Sequence, residues 1–126
     1  MFEKLELTRM AQALASHAGA RMGVIARNVA NADTPGYKAR DLPTFASVFK
    51  PEGEPMRATR PGHLSAGSGM TDMIAENAPG REAPNGNTVS LEGEMVKSVE
   101  ARQSHEMALA VYRATSDVIR ASLGRK

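Results

Sequence analysis

Three histidines, His17, His63 and His105, are the side chains best suited to metal binding or proton transfer in this chain, and they fall in three separate segments. His105-Glu106-Met107-Ala108-Leu109 starts like a zinc-protease helix, but Leu109 stands where the second histidine is needed. Gly67-Ser68-Gly69 lacks the Lys-Ser/Thr ending of a phosphate loop. No serine, histidine and acid fall in a pattern that one cleft would gather. Cysteine is absent, which removes thiolate nucleophiles, thiolate metal sites and disulfides. The spacing predicts no enzyme, and assigns no catalytic, cofactor-binding or metal-binding residue.

The chemistry that remains is recognition. Asn28-Val-Ala-Asn31-Ala-Asp-Thr34-Pro35-Gly36-Tyr37-Lys38 ends an Ala-rich helical stretch and turns the chain. Pro35 lacks a backbone donor and pushes Thr34 out of the helical region, so the helix stops before it. Pro35-Gly36 suits the centre of a type II turn, where glycine takes the positive φ. Asn28 and Asn31 share a face of the last turn, where their amides cap free carbonyls or bridge to a neighbour. Tyr37 brings a ring to bury and a hydroxyl to satisfy. Phe45 and Phe49, four apart, share a face on a short helix, either as an exposed apolar knob or packed onto the helices.

The elements that position these groups are two amphipathic helices. Over residues 5 to about 32, Leu7, Ala11, Leu14, Ala18, Met22, Ile25, Val29 and Ala32 recur at spacings of three and four. Gly19 and Gly23 weaken that helix and permit close approach by another. Ser90 is an N-cap for a second helix, with Glu92 and Glu94 near the positive end of its dipole and Gly124 as its stop. Its stripe is Val96, Val99, Met107, Ala110, Ala114, Val118 and Ala121, interrupted by Gln103. Between the helices, Asp41 to Thr88 holds six of the seven prolines and six of the eleven glycines. Such a segment buries too little apolar surface to order itself, which predicts disorder in a monomer and order on assembly.

Composition agrees. Aromatics are 4% of 126 residues and tryptophan is absent, so a large globular core is excluded, while eight methionines and abundant alanine fit a thin helix–helix seam. A net charge of +2 is too small to imply nucleic acid. No apolar run reaches the roughly 18 residues of a membrane span. Met1-Phe2-Glu3-Lys4-Leu5-Glu6-Leu7 lacks the basic region and apolar core of a cleaved secretory signal, so any export needs an uncleaved route. The expected fold is all-α: two long terminal helices packed as an antiparallel coiled coil, divided into a terminal helix (1–34), a turn and extended middle (35–88) and a second helix (89–126). A marginal pair of this kind gains from self-association, and a head-to-tail contact that does not close makes a tube or filament.

The run Asn-x-x-Asn-x-x-Thr-Pro-Gly-Tyr-Lys resembles the signature that follows the first helix in the bacterial flagellar rod and hook family. The stretch from Gly86-Asn87 through Leu91 and Glu94-Met95 to Ala121-Ser122-Leu123-Gly124 resembles the C-terminal helix of a short proximal rod subunit. The resemblance implies terminal helices packed as the inner layer of a helical tube, a driveshaft that transmits torque across the periplasm. Implied neighbours are copies of itself, rod proteins of the FlgC, FlgF and FlgG types, the FliE adaptor, and the membrane ring and export apparatus at the rod base. No nucleic acid or small-molecule substrate is implied. It further implies type III export without signal cleavage, with Phe45 and Phe49 matching a Phe-x-x-x-apolar element that docks on the export gate. In such a tube the turn residues Asn28, Asn31, Thr34, Pro35, Gly36, Tyr37 and Lys38 meet the next subunit, or else form an internal fixture that aims the chain. Another small rod subunit of the FlgC type, or a helical secretion adaptor or chaperone, are the alternatives.

Overall fold

The computed structural model describes residues 2–49 and 74–124. Helix α1 spans Phe2–Ala30, strand β1 Arg40–Asp41, the one-turn helix α2 Phe45–Val48, strand β2 Glu76–Asn77, and helix α3 Leu91–Leu123. At 1.5 Å per residue the long helices measure about 44 and about 50 Å. They pack antiparallel: Asn28 meets Glu94, Arg21 meets Glu100, and Ala11 lies across from Ala108. Among the described residues, no helix is long and apolar enough to cross a membrane.

Both ends of α3 follow their sequence signals. The Ser90 Oγ accepts from the Gly93 N–H at 3.3 Å, and Gly124 ends the helix at φ +148°. Helix α1 ends at Ala30, and the Tyr37 N–H closes on the Thr34 carbonyl at 3.2 Å, with Gly36 at φ +72°. That is the type II turn the Pro-Gly pair predicts.

The seam departs from expectation. Ala11, Ala18 and Ile25 of α1 are buried, Leu14 and Met22 are half-buried, but Leu7 and Val29 are exposed. On α3 the buried residues are Glu94, Ala101, Ala108 and Thr115, each seven after the last. The expected stripe of Val96, Val99, Met107, Ala110, Ala114 and Val118 is exposed throughout. Glu94 lies on this inward face, bonded to Asn28 and Lys97. The seven-residue repeat carries Ala101, Ala108 and Thr115 onto the same face. Small side chains there let the helices approach closely, and the larger apolar groups are left outside. Gly19 and Gly23 do not serve this approach, since both are exposed with open space around them.

The described flanks of the middle segment are tied to each other by backbone pairing. Arg40 pairs with Asn77 and Asp41 with Glu76 in an antiparallel ladder, and the Ala78 N–H donates to the Ala39 carbonyl at 2.9 Å. The expectation for 50–73, along with His63 and Gly67-Ser68-Gly69, lies outside the described residues.

Candidate functional site: the polar hub at the closed end of the hairpin

Chemistry concentrates where α1 ends and α3 begins. Asn28, the last full turn of α1, is completely buried. Its Nδ2 donates to the Arg40 carbonyl at 2.6 Å and to Glu94 Oε2 at 3.2 Å. Its Oδ1 accepts from the Tyr37 hydroxyl and the Arg40 N–H, both at 3.1 Å. All four bonds an asparagine side chain can make are therefore made inside one subunit. Glu94, 2% exposed, is a buried carboxylate compensated by Asn28 and by the Lys97 ammonium at 3.3 Å.

A second amide, Asn87, joins Asn31 in bonding the carbonyls at the end of α1 and in the turn after it. The Asn87 Nδ2 lies 2.9 Å from each of the Asn31, Ala32 and Thr34 carbonyls, in the turn that follows α1. Its Oδ1 accepts from the Val89 N–H at 2.7 Å, aiming the chain into α3. Thr88 adds a clamp: its hydroxyl accepts from the Ala39 N–H at 2.8 Å, and its own N–H donates to the Tyr37 carbonyl at 3.0 Å. Asn31 is occupied locally, with Nδ2 on the Arg27 carbonyl at 2.8 Å and Oδ1 accepting from the Thr34 hydroxyl at 3.2 Å. Lys38 bonds Glu82 at 3.2 Å and the Gly86 carbonyl at 3.1 Å.

Beside the hub, Arg21 grips both oxygens of Asp41, at 3.1 and 3.2 Å, and reaches Glu100 at 3.4 Å. The hydrogen bond to Asp41 raises the guanidinium pKa despite the opposing effect of burial. Next to it, the Nε2–H of buried His17 donates to the Pro43 carbonyl at 2.7 Å, and its ring meets Phe45 edge-on at 5.8 Å. Phe45 stacks on Phe49 with centroids 5.1 Å apart, as the spacing of four on a short helix predicts. Leu14, His17, Arg21, Leu42, Phe45 and Ser104 surround a cleft of about 310 Å³. Among the described residues, no group of three or more His, Cys, Asp or Glu is placed to hold a metal ion.

The structure thus brings Asn28, Asn31, Thr34 and Tyr37 together, and leaves Pro35, Gly36 and Lys38 exposed at the tip. Within this chain all four side-chain hydrogen bonds of Asn28 are internal, which fits the reading of the turn as an internal fixture. Sequence reasoning missed Asn87, Thr88 and the inward turn of Glu94. A signal existed for Glu94: it stands seven, fourteen and twenty-one residues before Ala101, Ala108 and Thr115. Asn87 follows Pro84-Asn85-Gly86, a turn signal beside the free end of α1 that only the folded chain brings close.

This site is built to hold a helical hairpin in shape, the work of a structural subunit. Residues 10–38, which contain most of α1 and the turn, match the family described as flagella basal body rod protein. The chain is similar to the flagellar basal body rod protein FlgB of Escherichia coli K12, with 32% identity over 123 residues, 87% of this chain and 88% of that protein. It is likewise similar to FlgB of Salmonella typhimurium LT2, with 32% identity covering 72% of this chain and 73% of that protein. FlgB of Agrobacterium fabrum C58 is 27% identical over 89% of this chain and 88% of its own length. The chain belongs to the flagellar basal body rod protein family represented by FlgB.

Proposed function

We propose that this protein is a structural subunit of the proximal flagellar rod, joining copies of itself and related rod proteins through the outward faces of its terminal helices. One observation carries the reading. Helix α3 leaves large apolar side chains uncovered outside its seam, with Val96 60%, Val99 66%, Met107 55% and Val118 48% exposed. A soluble two-helix hairpin has no use for an apolar back unless another helix covers it. Coiled-coil packing of such hairpins around an axis gives a torsionally stiff tube, and torque passes through packed side chains without turnover. The position at the rod base, with the FliE adaptor and membrane ring as neighbours, follows the family.

Export is proposed to run through the flagellar type III apparatus into the periplasmic rod, with Phe45 and Phe49 read by the gate before folding. The stacked pair is half-buried against His17, which fits a signal exposed in the unfolded chain and covered afterwards. The decisive experiment deletes the gene and images purified basal bodies by electron microscopy. Rings without a rod, restored by the intact gene, are expected; normal rods would refute the proposal. Phe45→Ala with Phe49→Ala is expected to lower secretion, and normal secretion with failed assembly would assign the pair to packing alone.

A further inference from the structure

Asn85 and Gly86 are joined by the kind of peptide bond most open to spontaneous deamidation, because glycine puts no side chain in the path of the attacking nitrogen. Asn85 is exposed, so water reaches it. In the reaction the Gly86 backbone nitrogen gives up its proton and attacks Asn85 Cγ. The new N–C bond forms as the Cγ–NH₂ bond breaks, and ammonia leaves with that proton. Water then opens the succinimide at either carbonyl, giving aspartate or isoaspartate, with nothing oxidised or reduced.

The folded loop opposes each movement this requires. The Gly86 N–H donates to the Ala83 carbonyl at 2.8 Å, so the nucleophile is occupied. Asn85 Oδ1 accepts from the Asn87 N–H at 3.1 Å, which turns the amide toward Asn87. The Asn85 carbonyl accepts from the Gly36 N–H at 2.9 Å, pinning the same peptide to the Pro35-Gly36 turn. Gly86, at φ +83°, sits so close to Gly36 that an added Cβ would lie 3.3 Å from the Gly36 Cα. Lys38 holds the Gly86 carbonyl from outside at 3.1 Å.

We infer that Asn85-Gly86 is a deamidation site that docking of the 83–88 loop suppresses, so that a subunit lingering with this loop undocked becomes chemically marked. The mark has a structural consequence. Isoaspartate inserts a methylene into the main chain two residues before Asn87 and places a new charge beside it. The Asn87 amide is then drawn off the three carbonyls it caps.

The test incubates the full chain at mildly alkaline pH, native and in denaturant, and follows isoaspartate by peptide mapping and enzymatic methylation. Modification is expected at Asn85 in both, at least about tenfold slower in the native chain because reaction there requires a local opening. Lys38→Ala, an exposed change, is expected to speed the native reaction and leave the denatured rate unaltered. Equal native and denatured rates, earlier modification at Asn31 or Asn77, or a native rate indifferent to Lys38→Ala would each overturn the inference.

Discussion

The closed end of the hairpin and its shaft solve opposite problems. At the closed end, polar atoms are buried and wholly satisfied: Asn28, Asn87 and Glu94 sit at 0%, 2% and 2% exposure, and no buried side-chain polar atom among the described residues lacks a partner. Along the shaft the seam is mostly alanine, while valines and methionines face outward. The closed end needs nothing beyond its own chain. The shaft leaves apolar side chains in contact with solvent. Specificity of shape therefore resides in hydrogen bonds that tolerate little change, and capacity for assembly in a face that contributes little to the lone subunit.

This contrast can be tested by substitution. The largest effect is expected from Asn28→Ala, which strips partners from the buried Glu94, the Arg40 backbone and the Tyr37 hydroxyl, at about 3–4 kcal/mol in urea unfolding. A loss below about 1 kcal/mol would break the distinction, since an ordinary exposed hydrogen bond contributes as much. Asn87→Ala comes next at about 2–3 kcal/mol, with faster hydrogen exchange confined to the amides between Asn31 and Tyr37. Within the seam, Ala101→Leu overpacks a position 1% exposed and is expected to cost about 1–2 kcal/mol. Met107→Glu is the smallest: it should change monomer stability by less than about 0.5 kcal/mol. The same variant should abolish motility and rod assembly, whereas wild-type swimming would show that α3's outer face is not an interface.

Much of the fold is legible in residue types. Ser90 and Gly124 bound α3 because capping is local chemistry, and Pro35-Gly36 dictates its turn by excluding other backbone conformations. The rotation of α3 is not legible from hydrophobicity, because its inward face is small and polar: Glu94, Ala101, Ala108 and Thr115. A stripe of Val96, Val99, Met107 and Val118 is as amphipathic as any core-facing stripe, and only the Asn28–Glu94 bond shows which side faces in. The recognition motif was visible but its direction was not. In the sequence, Asn28 and Tyr37 are open to an outward or an inward reading. Within the folded chain they bond each other, Asn28 also holds the Arg40 backbone, and Asn87 arrives from far along the chain to bond the turn carbonyls. Arg21 illustrates the same point: only the folded chain brings it to Asp41, whose hydrogen bond raises its pKa and favours the charged guanidinium.

The short ladder of Arg40–Asp41 with Glu76–Asn77 carries one more implication, for evolution rather than stability. Because the two strands are antiparallel, the chain departs from the hairpin and returns to it at adjacent points. Whatever lies between is closed at its base, and doubling its length would cost only about 0.6 kcal/mol of closure entropy. A hairpin fastened in this way is a socket: modules of different size can be grafted between the same two residues without disturbing the helices that hold them.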